Sequence, residues 1–442
     1  MNLSARLSAL IEIMDQARTT SRPTDGILSG FLRTRRYIGS RDRRWLSNST
    51  YDIWRNWARL NWHLDRHVQE PTTRRLLLAW MLLVDQRPAD EVRSYFDGKA
   101  KYSPKPLKPA EQGLIDALAG QPLEHEDMPE GVKRECPDWA LPLLTDAFGP
   151  DADVPAEFAA LTGEAPFDLR VNTLRATRDE VLTALGHEGI PAEATPFSPT
   201  GIRVGRRASL THLPIFRDGK IEIQDEGSQL IGHAVATAPG LSVVDFCAGA
   251  GGKSLLLAAQ MNNKGRIVAC DVSKGRLSRS RDRLKRAGVD NVSTHVLSTE
   301  HDKWVKRNQG KFDRVLLDVP CLGTGTWRRN PDMRWRKSMP DLQEIVPLQT
   351  SILDSAARLV KPGGRLIYGT CSLLPPENDG QVDAFLERDD RFTKLDIREI
   401  FRAQIGDEAA EALALTGETM QLTPARHGTD GFYCAVMERK SD

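Results

Sequence analysis

The stretch Val315-Leu-Leu-Asp-Val-Pro-Cys-Leu-Gly-Thr-Gly-Thr326 decides the fold class. An apolar run leads into Asp318, and Pro320, which has no amide hydrogen for a ladder, ends the strand as a paired central element. Asp318 and Cys321 are thereby held at the strand's carboxyl end, where parallel α/β sheets carry their chemistry. Gly364-Arg-Leu-Ile-Tyr-Gly-Thr-Cys371-Ser repeats the design: an apolar run ending in a thiol, followed by Leu-Leu-Pro-Pro-Glu-Asn378. Two strands that each end in a cysteine predict a pair of thiols facing one pocket.

Outward from these runs the chain alternates strand and helix from about residue 240, which predicts an α/β domain with a parallel, doubly wound sheet. The expected strands are 242–246, 266–271, 292–297, 314–319 and 365–370, with helices after each of the first two and between the last two. A final strand pair is expected around 431–437. The first strand opens into Asp245-Phe-Cys247-Ala248-Gly249-Ala250-Gly251-Gly252-Lys253-Ser254 and then a helix. Glycines there allow a tight turn and bring backbone amides toward a ligand at the helix N-terminus. The glycine-to-lysine spacing excludes a Walker loop, and the loop alone fits a dinucleotide, an adenosyl ligand or nothing. Asp271 ends the second strand about twenty residues on, where a carboxylate accepts hydrogen bonds from both ribose hydroxyls, and so favours a nucleoside cofactor.

Upstream the pattern changes. Residues 1–140 read as helical: an amphipathic helix over Met1 to Met14, aromatic and apolar residues from Trp45 to Trp62 at three-to-four spacing, and a buried helix over Leu76-Leu-Leu-Ala-Trp-Met-Leu-Leu-Val84. Pro104, Pro106 and Pro109 mark a linker or turn, and a short helical segment follows near Cys136 to Phe148. Residues 150–235 read as a small α+β module, with strands at 168–172 and 201–204, a helix over 178–189 and a hairpin over 215–223 about Asp218-Gly219. Gln224-Asp-Glu-Gly-Ser-Gln229 closes it, and 236–442 form the domain of the two thiols.

A length of 442 residues implies two or three domains, and 40% hydrophobic with 27% charged residues is the balance of a soluble globular protein. No apolar run is long enough to span a bilayer, and the N-terminal helix is no signal peptide, so a cytoplasmic protein without a membrane partner is expected. The six cysteines lack the spacing of a zinc site or a disulfide scaffold, and reduced thiols without a metal are expected. Cys270 and Cys434 read as core, as does Cys247 apart from its place in the glycine loop.

The net charge of +1 hides a basic stretch before about residue 110 and an acidic one from about 111 to 165. Arg33, Arg35, Arg36, Arg41, Arg43 and Arg44 fit phosphate binding and a solvated helical face equally well. The cations between Lys274 and Arg286 read as a solvated face. Trp327-Arg-Arg-Asn-Pro-Asp-Met-Arg-Trp-Arg-Lys337 reads as a nucleic-acid contact, because arginine clamps phosphates and indoles stack on unpaired bases.

Taken in order, Cys247-Ala-Gly-Ala-Gly-Gly-Lys253, Asp318-Val-Pro-Cys-Leu-Gly-Thr-Gly, Arg329-Asn-Pro-Asp-Met-Arg-Trp335, Gly369-Thr-Cys-Ser-Leu-Leu-Pro-Pro-Glu-Asn378 and His427-Gly-Thr-Asp-Gly-Phe-Tyr433 resemble the Nop/Sun family of RNA cytosine-5 methyltransferases. The resemblance covers about 165 to 438, including Leu169-Arg-Val-Asn172 and Gln224 to Gln229. It implies a Rossmann-like catalytic domain, S-adenosylmethionine as cofactor and structured RNA, often ribosomal, as substrate; a monomer is expected. The N-terminal helices resemble, in placement, the NusB-like RNA-binding domain found beside such catalytic domains in bacterial 16S ribosomal RNA methyltransferases.

Carbon 5 of cytosine is a poor nucleophile, so a thiolate must first add to carbon 6 before carbon 5 can take a methyl group. An acid or hydrogen-bonding carboxylate at the ring's N3 edge steadies the adduct, and Asp318 is the candidate. The residues leave open which thiol attacks. DNA cytosine-5 enzymes use the Pro-Cys thiol, which would select Cys321, whereas the resemblance implies Cys371 as nucleophile and Cys321 as the cysteine that assists release. It also implies a cofactor set of Cys247, Ala248, Gly249, Ala250, Gly251, Gly252, Lys253, Asp271, Arg276, Ser298 and Asp318. Two positions depart from the family pattern: Ala250 replaces a frequent proline, and Ser298 stands where an aspartate usually meets the adenine amino group. Either Ser298, a backbone group or Asp302 takes that contact. Transfer RNA, DNA, and a silent RNA-binding assembly role are the alternatives.

Overall fold

The computed structural model describes residues 1–67, 70–99, 101–205 and 210–441. The chain divides into two compact units, one of Met1–Asp146, Asp151–Gly163 and Trp327–Ser338, the other of Ala147–Pro150, Glu164–Thr326 and Met339–Asp442.

The first unit is helical. Its opening helix, Leu3–Thr19, starts on the Asn2 side chain, which accepts from the Ala5 amide, and buries Leu7, Leu10, Ile13, Met14 and Ala17 along one stripe. Thr73–Leu83 buries Leu76 through Leu83 without a break, as the uninterrupted apolar run predicts. Leu46, Ile53, Trp54, Leu60 and Leu64 from the intervening helices complete the same core.

Trp327–Ser338 is built into this unit, which corrects the nucleic-acid reading for Trp327, Arg334 and Arg336. Arg334 is fully buried, and its two terminal nitrogens donate to the carbonyls of Glu135 at 2.7 Å and Leu161 at 2.9 Å. Burial draws its pKa down to about 10, against the pull of Glu135. Arg336 donates to Asp332 and to the carbonyls of Ala17 and Thr20, so it closes the end of the first helix. Trp327 is 1% exposed. Arginines whose donors are spent on carbonyls have little left for phosphates.

The second unit carries two sheets. In the smaller, β1 (Phe167–Val171), β2 (Ala192–Ala194), β3 (Gly201–Val204) and β4 (Ile221–Ile223) run antiparallel in the order β2-β3-β1-β4. The expected hairpin over 215–223 is absent: Pro214 sets a short helix, Pro214–Arg217, and only Ile221–Ile223 is strand. The larger sheet holds β5 (Ser242–Asp245), β6 (Arg266–Asp271), β7 (Val292–Val296), β8 (Phe312–Asp318), β9 (Val360–Thr370), β10 (Phe392–Leu395), β11 (Met420–Leu422) and β12 (Phe432–Arg439). Its order is β10-β12-β9-β8-β5-β6-β7, with β11 also on β12. Strands β5 to β9 pair in parallel, and β12 turns antiparallel against β9.

Alternate residues of the parallel strands feed two cores. Val244, Val315, Leu317, Leu366 and Tyr368 pack in one layer; Val243, Leu316 and Ile367 pack in the other. Because both faces are covered, these strands read as near-continuous apolar runs.

The small module is locked to the large sheet by polar contacts. Arg170, fully buried, donates to the Gly252 carbonyl at 2.8 Å, and Asn172 donates to the carbonyls of Gly219 and Ala287. Arg283 and Arg286, on the helix Lys274–Ala287, both pair with Glu222. The solvated-face reading therefore holds for Lys274, Arg276, Arg279, Arg281 and Lys285, which are exposed, and fails for these two half-buried arginines.

Candidate active site

Strands β8 and β9 are parallel neighbours with Asp318 opposite Gly369, so the loops leaving them start side by side. Cys321 and Cys371 lie on those loops with their sulfur atoms 3.3 Å apart. That is contact without a bond, since a disulfide needs about 2.05 Å, and both thiols are free. Each is half-buried. Cys321 is held well above the ordinary thiol range by its hydrogen bond with Cys371, by burial, and by the charges of Cys371 and Glu377.

Asp318 projects from the end of β8 and accepts from the Lys253 ammonium at 2.6 Å. Burial works against the Lys253 charge, but Asp318 and then Asp245 outweigh it and its pKa is raised. The Cys371 thiol is close enough to add to that effect. Asp245, at the end of β5, is fully buried; burial raises its pKa to about 6 although the Ser254 hydroxyl donates to it at 2.7 Å.

The glycine loop between β5 and the helix Gly252–Gln260 has a cradle's geometry. Gly249 and Gly251 take φ of +56° and +78°, which side chains rarely adopt. A Cβ on Gly249 would stand 2.6 Å from the Arg276 guanidinium. Asp271 is buried and oriented by two amides, accepting from Gly249 at 2.8 Å and Ser273 at 2.7 Å, with Arg276 at 3.6 Å. A fixed carboxylate with spare lone pairs beside a glycine turn at a helix start suits a ribose diol. Ala250 keeps the turn without proline, and its carbonyl accepts from Arg283.

Ser298 and Asp302 belong to one knot. Asp302 caps the helix Lys303–Arg307 through the Trp304 amide and accepts both the amide and the hydroxyl of Ser298. Those bonds, the Trp304 amide first, hold its carboxyl far below the usual range. Its oxygens are thus taken, whereas the exposed Ser298 oxygen keeps lone pairs.

Several supporting residues escaped the sequence reading. Glu377 is completely buried and accepts from the Leu322 amide, the Gln349 side chain and the Ser372 hydroxyl. Asn378 donates to the Ser372 carbonyl and accepts from Thr370. Thr324 accepts from the Leu373 amide, and the Gly431 amide donates to Gly325 so closely that a Cβ on Gly325 would stand 2.1 Å from the Gly431 oxygen. The available signal was an acid and an amide just after a Pro-Pro pair in the loop behind a thiol.

Residues 234–438 match the family model described as 16S rRNA methyltransferase RsmB/F, and 136–211 match the RsmF/B-like ferredoxin-like domain. Ribosomal RNA small subunit methyltransferase B of Pseudomonas syringae pv. tomato is 34% identical over 341 residues, 75% of this chain and 73% of that protein. Its counterpart in Photorhabdus laumondii is 27% identical over 452 residues, covering 99% of this chain and 98% of that one. Among solved structures, the crystal structure of PH0851 superposes with a TM-score of 0.78 at 25% identity over 99% of both chains. A methyltransferase homolog from Pyrococcus horikoshii gives 0.58 at 29% identity over 70% of this chain and 97% of its own. With these likenesses running through the glycine loop, both thiol loops and the small module, the chain belongs to the RsmB/F (Nop/Sun) family of 16S rRNA methyltransferases.

Proposed function

We propose that this protein methylates carbon 5 of a cytosine in RNA, most directly 16S ribosomal RNA, through a covalent adduct between Cys371 and carbon 6, using S-adenosylmethionine. The observation that carries the reading is the 3.3 Å contact between two reduced thiols on the loops that leave β8 and β9, beside the Lys253–Asp318 pair.

The glycine turn, the helix start behind it and the two-amide grip on Asp271 fit an adenosyl ligand. Cys247 to Lys253 would flank it, Asp271 would hold the ribose hydroxyls, Arg276 would lie over Gly249, and Ser298 would accept from the adenine amino group. When bound, the cofactor supplies an electrophilic methyl group. Cys371 adds to carbon 6 and makes carbon 5 electron-rich. The charged Lys253 fixes Asp318 toward the ring's N3 edge and offsets negative charge that grows there. Cys321 keeps its proton more firmly than an ordinary thiol and so does not compete as nucleophile. Having passed that proton to solvent, its sulfur would accept the carbon 5 proton, the C–H electron pair would form the carbon 5–carbon 6 double bond, and Cys371 would leave as thiolate. We infer a monomer acting in the cytoplasm; among the described residues no helix is long and apolar enough to cross a membrane.

Bisulfite sequencing of 16S RNA incubated with the protein and S-adenosylmethionine tests the reading. Protection of one cytosine from conversion is expected, and a methyl group found elsewhere on the base or on the ribose would overturn it.

A further inference from the structure

The two thiol loops are not joined directly along the chain, yet their sulfurs stay in contact while both remain half exposed. Beside the Thr324 contacts with Ser372 and Leu373 and the Gly325 amide on the Cys371 carbonyl, one buried carboxylate reaches both loops. One oxygen of the Glu377 carboxylate accepts the amide of Leu322, the residue after Cys321, at 2.9 Å, and the Gln349 side chain at 3.0 Å. The other oxygen accepts the hydroxyl of Ser372, the residue after Cys371. Gln349 also donates to the Pro320 carbonyl at 2.9 Å, so the residues on both sides of Cys321 are tied to this hub. Asn378 does the same for Cys371, bonding Thr370 at 2.6 Å and the Ser372 carbonyl at 3.0 Å. Leu322, Gln349 and Ser372 all donate to a carboxylate that water does not reach, so one acceptor serves both loops.

We propose that Glu377 is a positioning residue that clamps the two thiol loops together and, by its negative charge beside Cys321, keeps the two thiols chemically unlike. Its consequence for methyl transfer rests on the reading above; the clamp itself does not. Two ionised sulfurs in contact would repel, so a nucleophile and a release residue can share one pocket only if one of them holds its proton. The groups facing Cys321 are Cys371, Glu377 and Tyr368, with Lys253 acting on Cys371 from the glycine loop. The Cys371 hydrogen bond, burial and the Cys371 charge raise the Cys321 pKa and the nearby Glu377 charge adds to them, while Lys253 supplies the positive charge on the Cys371 side. Glutamine in place of Glu377 would remove the charge while its oxygen accepts from Leu322 and Gln349 and its NH2 donates to the Ser372 hydroxyl.

The test is the rate of iodoacetamide alkylation of each thiol across pH in the full chain, read by peptide mass spectrometry. Glu377→Gln is expected to move the Cys321 profile to lower pH, with about tenfold faster alkylation of that thiol near about pH 8. Glu377→Asp, which keeps the charge, is expected to restore the parent's Cys321 profile within about twofold. An unchanged Cys321 profile in Glu377→Gln, or Glu377→Asp behaving like Glu377→Gln, would overturn the proposal. Should Glu377→Gln fail to fold, Ser372→Ala removes the Cys371 side of the clamp, together with the hydroxyl's contacts to Thr324 and the Leu374 amide. It is expected to change Cys371 alkylation by about fivefold and leave Cys321 as it was, and no change at Cys371 would count against the clamp. Alkylation needs neither RNA nor a methyl donor, so failure of the clamp and failure of the methylation reading are separately visible.

Discussion

Val315–Thr326 and Trp327–Lys337 follow one another in the chain, and both carry residues able to handle RNA, but they spend them differently. In the first, the backbone and Thr324 are consumed by the neighbouring loop, and what remains accessible is two thiols and a carboxylate. In the second, Arg334 and Arg336 give their donors to carbonyls of the helical unit, and Trp327 is buried. The difference teaches that the chemistry a stretch can offer is what its internal partners leave over. Residue type alone does not show that remainder.

The sharpest separation between the two stretches comes from Asp318→Asn. It keeps an acceptor for Lys253 but removes the charge, so methyl transfer is expected to fall about 1000-fold, about 4 kcal/mol of barrier, with folding largely kept. Methyl-transfer rates with denaturation midpoints measured alongside would show it; an active variant would break the functional half of the contrast. Arg334→Met is the converse. Two buried carbonyls lose their donor and the buried Glu135 loses a nearby positive charge, at about 3 kcal/mol of stability by urea denaturation. If Arg334 were an RNA clamp, the midpoint would instead hold steady while the salt dependence of RNA binding dropped by about one phosphate contact.

A smaller effect concerns Asp245, which supports the glycine loop through Ser254. Its folded pKa of about 6 lies above its ordinary value of 3.8, so the folded state binds the proton more tightly and stability falls as pH rises between these two values. Asp245→Asn removes the ionisation. The stability of the variant relative to the parent is therefore expected to grow by about 2 kcal/mol from about pH 4 to about pH 6 and then level off. A flat difference across that window would refute the buried-acid description.

Most of the sheet could be read from sequence because parallel strands covered on both faces are continuous apolar runs: β6 was expected and found at the same residues, and β5, β8 and β9 lie where apolar runs meet glycine, proline or acid, whereas β7 is an exposed edge strand, Val292-Ser-Thr-His-Val296, without such a run. The thiol pair was legible for the same reason, each cysteine following the end of such a run. Short edge strands were not: β2 and β11 have three residues each, too few for a pattern. The 215–223 hairpin failed because Pro214 favours a helix start over a ladder. Arg334 was misread since its partners, Glu135 and Leu161, lie more than 170 residues away in sequence. Glu377 has the same invisibility: an acid in a loop reads as surface until donors such as Leu322, Gln349 and Ser372 are seen around it.

The central claim is that Cys371 attacks and Cys321 assists release. Denaturing gels of the protein trapped on RNA containing 5-azacytidine test it most directly, with Cys371→Ala and Cys321→Ala compared to the parent. The expected result is loss of the covalent band in Cys371→Ala and its retention in Cys321→Ala; a band that survives in Cys371→Ala and disappears in Cys321→Ala would contradict it.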